Sequence, residues 1–175
     1  MKKFIVYFHG YASSPNSDKV TQLKSAYPDD YIYSFSSNID PDIAIKEVGN
    51  NIDLALLDHI NEDINITFIG TSLGAWLAAK MADLYGVKSI LINPSLYPAK
   101  SLKKYNISDN ICDKYTPLII TENSTFFLAK YDEVINHDEL ISILDSKNIK
   151  YYINEETTHR YNGKSFDEVI LTIRN

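Results

Sequence analysis

A serine stands between two glycines at the point where an apolar run gives way to a helical pattern. The stretch ITFIGTSLGAW, residues 66 to 76, places Ser72 two residues after Gly70 and two before Gly74. A structural turn does not require this spacing, whereas a sharp strand-to-helix turn does, because a Cβ at either glycine would clash with neighbouring backbone. Such a turn lifts the serine above the carboxyl edge of a parallel sheet. The pattern predicts a nucleophile elbow, against the alternative of a glycine-rich structural turn.

A serine nucleophile needs a base within hydrogen-bond reach, and the chain contains four histidines, His9, His59, His137 and His159. In this type of site the acid and then the histidine follow the serine along the chain. His159 lies between the last predicted strand and the last predicted helix, so we predict that it is the base. We expect His59 to be solvated on the polar part of a helix and His137 to be a helix-terminus residue. The alternative for His159 is a histidine in a surface loop.

The acid of the triad should follow a strand that comes after the serine. Asp132 comes directly after such a strand, in FFLAKYDEVI, and we predict that it orients the base. Glu133 is its nearest competitor, because a one-residue shift in the end of the strand would exchange the two. Asp113 and Asp138 are less well placed. An exposed aspartate that caps a helix is the non-catalytic alternative.

An oxyanion hole needs two backbone N–H donors, one from the residue after the nucleophile and one from a loop after an early strand. Leu73 follows the serine, and FHGYASS follows the first predicted strand. Gly10 allows the loop to approach closely, so the amide of Tyr11 is the predicted second donor. His9 either anchors this loop or is a packed histidine without a part in catalysis.

The order of elements predicts the fold class. Apolar runs typical of strands lie at residues 3–8, 31–35, 65–69, 87–93, 124–130 and 149–156. Helical patterns lie between or after them at residues 18–27, 41–60, 73–85, 138–148 and 165–175. Continuous apolar strands that alternate with helices indicate a mainly parallel sheet with helices on both faces. Residues 95–116 are weakly periodic and are a candidate cap over the site.

Length and composition favour one globular α/β domain, residues 1–175, and exclude several function classes. A net charge of −6 and basic clusters no longer than Lys2-Lys3 and Lys103-Lys104 argue against a nucleic-acid partner. The longest uncharged stretch is shorter than the roughly 18 residues of a membrane span, so we expect a cytoplasmic protein without one. Cys112 is the single cysteine, which excludes an internal disulfide. No spacing of ligands indicates a metal or another cofactor.

Five segments, taken together, carry a family resemblance. YFHGYASSPNSDK, IGTSLGAWLA, LINPS, KYDEVI and TTHRYNG occur in this order over nearly the whole chain. The set resembles the small YqiA/YcfP-like esterases of the α/β-hydrolase superfamily. HG-x-x-SSP-x-S and the Asn-Pro after the fourth strand are more specific than the elbow alone. The resemblance implies an α/β-hydrolase fold with a short cap and carboxylesterase-type activity on acyl esters or thioesters. The family's triad falls on Ser72, Asp132 and His159.

The sequence therefore predicts a serine hydrolase that cleaves a small-molecule acyl substrate through an acyl-enzyme intermediate. Trp76, Tyr97 and Tyr105 are candidates for an acyl pocket, although aromatic residues at such places are core residues at least as often. A binding or scaffolding protein that keeps the fold without turnover is one alternative. An acyltransferase or amidase with the same triad is another, because only the pocket separates these reactions. The sequence makes no prediction of oligomeric state.

Overall fold

A computed structural model describes residues 1–174, which contain six strands and seven helices. The strands are β1 Lys2–Phe8, β2 Tyr31–Tyr33, β3 Ile64–Thr71, β4 Lys88–Ile92, β5 Ser124–Ala129 and β6 Tyr151–Asn154. The helices are α1 Asp18–Ala26, α2 Pro41–Leu57, α3 Leu73–Tyr85, α4 Pro98–Lys103, α5 Asp109–Cys112, α6 Asp138–Ser146 and α7 Lys164–Arg174. The terminal helix was expected to reach Asn175, which lies outside the described residues.

All six strands are parallel and form one sheet in the order β2-β1-β3-β4-β5-β6. The chain moves outward in one direction from β1 to β2 and then in the other direction from β3 onward. Ligands of open parallel sheets bind at the carboxyl ends of the strands near such a reversal. Phe8 pairs with Gly70, and Thr71 pairs with Ile92, so the loops after β1, β3 and β4 begin side by side.

The sheet is buried on both faces, which explains why its strands are apolar without alternation. Phe4 and Val6 of β1 belong to the core beneath α2 and α3, whereas Ile5 and Tyr7 belong to the core beneath α1 and α7. The predicted fold class is confirmed: a single parallel sheet with helices on both faces.

Most predicted elements agree with the structure, and their ends differ in a few places. Helix α3 spans the predicted residues and ends at Gly86, whose φ of 65° is the left-handed conformation of a helix C-cap. Helix α2 begins after Asp40, whose carboxylate accepts a hydrogen bond from the amide of Asp42, but it ends at Leu57 rather than residue 60. Strands β2 and β6 are each shorter than predicted.

Residues 95–116, the cap candidate, contain the short helices α4 and α5. Short helices leave only a brief periodic pattern in a sequence, which explains why this segment could not be assigned. None of the helices in residues 1–174 combines the length and hydropathy needed to cross a bilayer.

Candidate active site

Ser72 occupies a strained turn between β3 and α3. Its φ of 56° and ψ of −118° lie in a region that residues with a side chain rarely adopt. The backbone amide of Ser72 donates a hydrogen bond of 2.9 Å to the carbonyl of Ile92, at the end of the neighbouring strand β4. This turn has the geometry expected of a nucleophile elbow.

The two glycines that flank the serine allow helix and sheet to meet at backbone contact. A Cβ at Gly70 would overlap the backbone of Gly74 and Ala75. A Cβ at Gly74 would overlap the carbonyl oxygens of Phe8 and His9, in and just after β1. Neither overlap is with a flexible side chain, so the backbone would have to move if either glycine were replaced.

Asp132 and His159 form a hydrogen-bonded pair. The Nδ1 atom of His159 lies 2.8 Å from Oδ2 of Asp132 and 3.0 Å from Oδ1, and the aspartate side chain is 1% exposed. Because an ionised carboxylate only accepts hydrogen bonds, Nδ1 carries the proton of the imidazole. The lone pair of Nε2 is then available to accept a proton.

A second histidine, which was not predicted to lie near the site, also contacts Asp132. His137 is the residue before α6, as predicted for a helix terminus, but its ring is buried and its Nε2 atom lies 3.0 Å from Asp132 Oδ2. Oδ1 of Asp132 accepts hydrogen bonds from the amides of Val134, at 2.8 Å, and Ile135, at 2.9 Å. The only signal in the sequence is that His137 follows Asp132 within a short loop.

These donors determine the charge of Asp132. Burial by itself would raise the pKa of this carboxyl group. The hydrogen bonds from His137 and His159, with those from the two backbone amides, outweigh burial and hold the pKa of Asp132 well below its usual value. Asp132 therefore stays ionised beside His159 and can stabilise an imidazolium there.

Glu133, the predicted competitor of Asp132, contacts the backbone of His159 instead of its ring. Its Oε2 atom accepts a hydrogen bond of 3.0 Å from the amide of His159, and this bond lowers the pKa of Glu133. The other two candidates lie in separate contacts: Asp113 is paired with Lys103, and Asp138 accepts from the side chain of Asn136.

Asn93 connects the strand ends to the loop that carries His159. Its side chain is fully buried, and its Nδ2 atom donates to the carbonyl of His159 at 2.9 Å and that of Thr158 at 3.4 Å. Its Oδ1 atom accepts a 2.7 Å hydrogen bond from the amide of Ala129, three residues before Asp132. One amide group thus fixes the segments of both the acid and the base.

Lys19 holds the same loop from helix α1. Its Nζ atom donates to the carbonyl of Arg160 at 2.6 Å and to Oδ1 of Asn162 at 3.0 Å. Burial lowers the pKa of Lys19 to about 8, despite the nearby charge of Asp18, which raises it. The roles of Lys19 and Asn93 as supports could not be predicted, because their contacts join segments that are distant along the chain.

The predicted oxyanion donors border the same space as the serine. Leu73 is the first residue of α3, so its amide has no acceptor within the helix. Tyr11 lies in a turn closed by a hydrogen bond from the amide of Ser13 to the carbonyl of Gly10. A Cβ at Gly10 would approach the carbonyl of Thr71 to 3.2 Å, so this loop runs close to the elbow.

His9 contacts the loop that it precedes. Its Nδ1 atom lies 3.0 Å from the carbonyl oxygen of Gly10, which requires the proton on Nδ1. The prediction for His59 was wrong: it follows α2, its side chain is 12% exposed, and its ring stacks on Tyr31 at 3.6 Å. Hydrogen bonds to Glu62 and Tyr33 complete the environment of His59.

An open cleft of about 920 Å³ brings the predicted residues together. Ser72, Leu73, Tyr11 and His159 line it. Within residues 1–174, Ser72 Oγ makes no hydrogen bond to His159. In structures without substrate, a catalytic hydrogen bond of this kind is often long and shortens only in the complex.

The three aromatic candidates for an acyl pocket lie in different places. Tyr105 lines the cleft beside α4, and Trp76 lines a smaller cavity next to it. Tyr97 lines neither space and donates a hydrogen bond to Glu139. Cys112 is buried in the core. Among residues 1–174, no group of three or more histidine, cysteine or acidic side chains is arranged to hold a metal ion.

Comparison with known proteins identifies the family. Residues 4–117 match the family model described as "Uncharacterised protein family (UPF0227)". The chain belongs to UPF0227. This is the YqiA/YcfP-like family, so the resemblance noted in the sequence is confirmed. The matched range of this UPF0227 chain contains Ser72, whereas Asp132 and His159 lie beyond it. A UPF0227 protein of Shewanella sp. strain MR-4 is 29% identical over 172 residues, which cover 90% of each chain.

Solved structures show the same fold as this UPF0227 chain. An esterase from Pyrococcus furiosus has a TM-score of 0.72 at 15% identity and covers 99% of this chain and 80% of its own. Mouse alpha/beta hydrolase domain-containing protein 10 has a TM-score of 0.71 at 18% identity, with 97% and 87% covered. The UPF0227 chain therefore has the α/β-hydrolase fold.

Proposed function

We propose that this protein is a serine hydrolase that cleaves acyl esters or thioesters, with Ser72 as nucleophile, His159 as base and Asp132 as the orienting acid. The observation that carries the proposal is the 2.8 Å contact between His159 Nδ1 and Asp132 Oδ2, at a cleft that also exposes a serine on a strained strand-to-helix turn. The proposal is supported by the chain order of these three residues and by a fold that carries an esterase elsewhere.

The proposed reaction has two halves. In the first, His159 Nε2 removes the proton of Ser72 as Oγ bonds to the acyl carbon, and the imidazolium then gives that proton to the departing oxygen or sulfur. In the second, His159 takes a proton from water, the hydroxide bonds to the acyl carbon, and the proton returns to Ser72 as the acid leaves. The amides of Leu73 and Tyr11 would hold the oxyanion in both halves.

Asp132 acts on His159 in two ways in this mechanism. Its carboxylate fixes the tautomer of His159, which keeps Nε2 free to accept the serine proton. Its charge stabilises the imidazolium that forms when the proton moves. The depressed pKa of Asp132 keeps that charge in place throughout the neutral range.

A comparison of three variants tests the assignment by hydrolysis of p-nitrophenyl butanoate. Ser72→Ala should lower kcat by about 10⁶, to the background rate. Asp132→Asn should lower kcat by about 10⁴, because the amide favours the wrong tautomer of His159. Glu133→Gln is the matched control and should retain kcat within about tenfold, since Glu133 contacts only the backbone of His159.

Two results would contradict the proposal. If Glu133→Gln lost as much activity as Asp132→Asn, the acid would be assigned to the wrong carboxylate. If the folded native protein and Ser72→Ala hydrolysed the ester at the same background rate, the protein would not be a serine hydrolase.

A further inference from the structure

A second, smaller cavity adjoins the cleft. It has a volume of about 190 Å³ and shares Gly10, Tyr11 and Leu73 with the cleft that contains Ser72. One set of its lining residues consists of apolar and aromatic side chains from the start of α2, from α3 and from the segments before α2 and β5. These residues are Ile39, Ala44, Trp76, Leu77 and Tyr115.

Polar side chains (His9, Ser13, Ser37 and Asn38) also line this cavity, so its apolar part is the wall that contains Trp76 and Tyr115. The Nε1 atom of Trp76 donates to the carbonyl of Thr116 at 2.8 Å, and the hydroxyl of Tyr115 donates to the carbonyl of Ile39 at 2.8 Å. The two rings pack edge to face with centroids 4.7 Å apart. Because both polar atoms are bonded to the backbone, the rings are fixed and leave mainly carbon surface toward the cavity.

The position of the small cavity indicates that it receives the acyl group of the substrate. In the proposed acyl-enzyme, the acyl carbon is bonded to Ser72 and its oxygen lies against the amides of Tyr11 and Leu73. Those two residues are also common to both spaces. An acyl chain that begins at this carbon therefore starts at the boundary of the small cavity.

The larger cleft has a different chemistry. Its lining includes Lys19, Lys104 and Arg160, together with several serine hydroxyls. Polar and charged groups suit a hydrated leaving group better than a hydrocarbon chain. The two spaces thus differ in charge, because no lysine, arginine, aspartate or glutamate among residues 1–174 lines the small cavity.

We propose that the small cavity is the acyl pocket and that it selects short acyl groups, while the leaving group lies in the larger cleft with its charged side chains. This inference rests on the proposed hydrolase function. An apolar cavity of about 150 Å³ accommodates a benzene molecule, so about 190 Å³ accepts a chain of about six or seven carbons. Acyl groups of eight or more carbons exceed the pocket.

A series of p-nitrophenyl esters from acetate to dodecanoate tests this pocket in the native protein. Each methylene that enters the pocket should raise kcat/KM about fourfold, which is the transfer free energy of one buried methylene expressed as a rate ratio. We expect the maximum between butanoate and hexanoate and a decline from octanoate onward.

Two substitutions should move that maximum in opposite directions. Ala44→Leu adds three carbons to the buried wall and should lower kcat/KM on hexanoate more than tenfold relative to acetate. Ile39→Ala enlarges the pocket at a half-buried position and should move the maximum toward octanoate. Ala55→Leu is the matched control, because Ala55 is a buried alanine three turns along α2 that lines neither space.

The outcomes separate this inference from the proposed function. Labelling of Ser72 by a fluorophosphonate, measured in every variant, reports the nucleophile independently of chain length. If labelling is intact but kcat/KM rises steadily to dodecanoate, or if Ala44→Leu and Ala55→Leu have the same profile, the cavity is not the acyl pocket. If folded native protein is not labelled, the hydrolase function fails and the acyl-pocket assignment fails with it.

Discussion

Asp132 accepts hydrogen bonds from two imidazole rings, and only one of them borders the cleft. His159 lines the cleft, whereas His137 is buried and does not line it. The Nδ1 atom of His137 has no hydrogen-bond partner among residues 1–174. The proton of His137 is on Nε2, because the carboxylate that it faces only accepts. We expect His137 to be a positioning residue that keeps the carboxylate in the plane from which it orients His159.

Two substitutions of His137 separate its hydrogen bond from its volume. His137→Gln keeps an N–H donor within reach of Asp132, whereas His137→Leu removes the donor and keeps an apolar side chain. We expect the leucine variant to lower kcat about 10- to 100-fold with KM within about twofold, since a hydrogen bond to a charged group is lost. The glutamine variant should recover most of kcat. Steady-state kinetics on p-nitrophenyl butanoate measures both.

His59→Gln provides the control for these histidine variants, because His59 is partly buried among aromatic residues beside α2. It should leave kcat at the native value. Equal losses in the glutamine and leucine variants of His137, or an effect on KM alone, would show that the ring fills space and does not position Asp132.

At the scale of elements, the loop between β6 and α7 is held from two sides. Asn93 binds its backbone from the end of β4, and Lys19 binds it from α1. The base therefore depends on two elements that precede it in the chain by many residues. Removal of either support should loosen His159 without changing its chemistry.

The buried amide of Asn93 can be tested by Asn93→Ala. The change leaves the carbonyl of His159 and the amide of Ala129 without their partner, so we expect a loss of about 2–4 kcal/mol in the free energy of unfolding. The φ of 43° at Asn93 adds backbone strain when alanine is placed there. Asn106 is exposed and has a φ of 58°, so Asn106→Ala measures the cost of this strain separately. Denaturant unfolding measures the free energy of unfolding of both variants. Equal losses in the two would refute the role of Asn93 as a bridge between the two segments.

Lys19 makes stability depend on pH in a defined window. Its pKa in the folded protein is about 8, below the ordinary value of 10.5, because burial disfavours the charge. Between pH 8 and pH 10.5 the unfolded chain binds more protons than the folded protein, so the free energy of unfolding increases with pH in this range. This gain is lost as the pH falls through 8. Relative to Lys19→Met, the native protein should gain about 2 kcal/mol of unfolding free energy between pH 7 and pH 10.

Lys24→Met is the control for this measurement, because Lys24 lies on the same helix and is exposed. The difference in unfolding free energy between Lys24→Met and the native protein should not change between pH 7 and pH 10. A Lys19→Met difference that is equally independent of pH would show that the lysine is not buried in the way the contacts indicate.

At the scale of the whole molecule, the order of elements was readable because each strand is an apolar run and each long helix has a periodic stripe. Helix α3 and its glycine end were predicted to the residue, since strand, elbow and C-cap all leave local signals. Helices α4 and α5 were not, because they are too short to show a period. The parallel sheet followed from the alternation of strands and helices.

The site was predictable to a similar degree. Ser72, Asp132 and His159 could be proposed because their order and their positions after strands are properties of the chain. The contacts of His137, Asn93 and Lys19 could not, because they depend on how separate loops meet at the sheet edge. The prediction that His59 is solvated was wrong for the same reason. Its aromatic neighbours come from β2, which lies far from His59 in sequence.

The carboxyl edge of the sheet unites these contacts into one arrangement. The loops after β1, β3, β5 and β6 carry, in turn, the proposed oxyanion loop, nucleophile, acid and base. The loop after β1 lines both cavities. The central claim is therefore that this edge activates Ser72 as a nucleophile.

Intact-mass analysis after incubation with a fluorophosphonate tests that claim most directly, with Ser72→Ala as the matched protein. The native chain should gain the mass of one adduct, peptide mapping should place it on Ser72, and the alanine variant should gain none. An unmodified native chain that is folded by circular dichroism, or an adduct that persists in Ser72→Ala, would contradict the account.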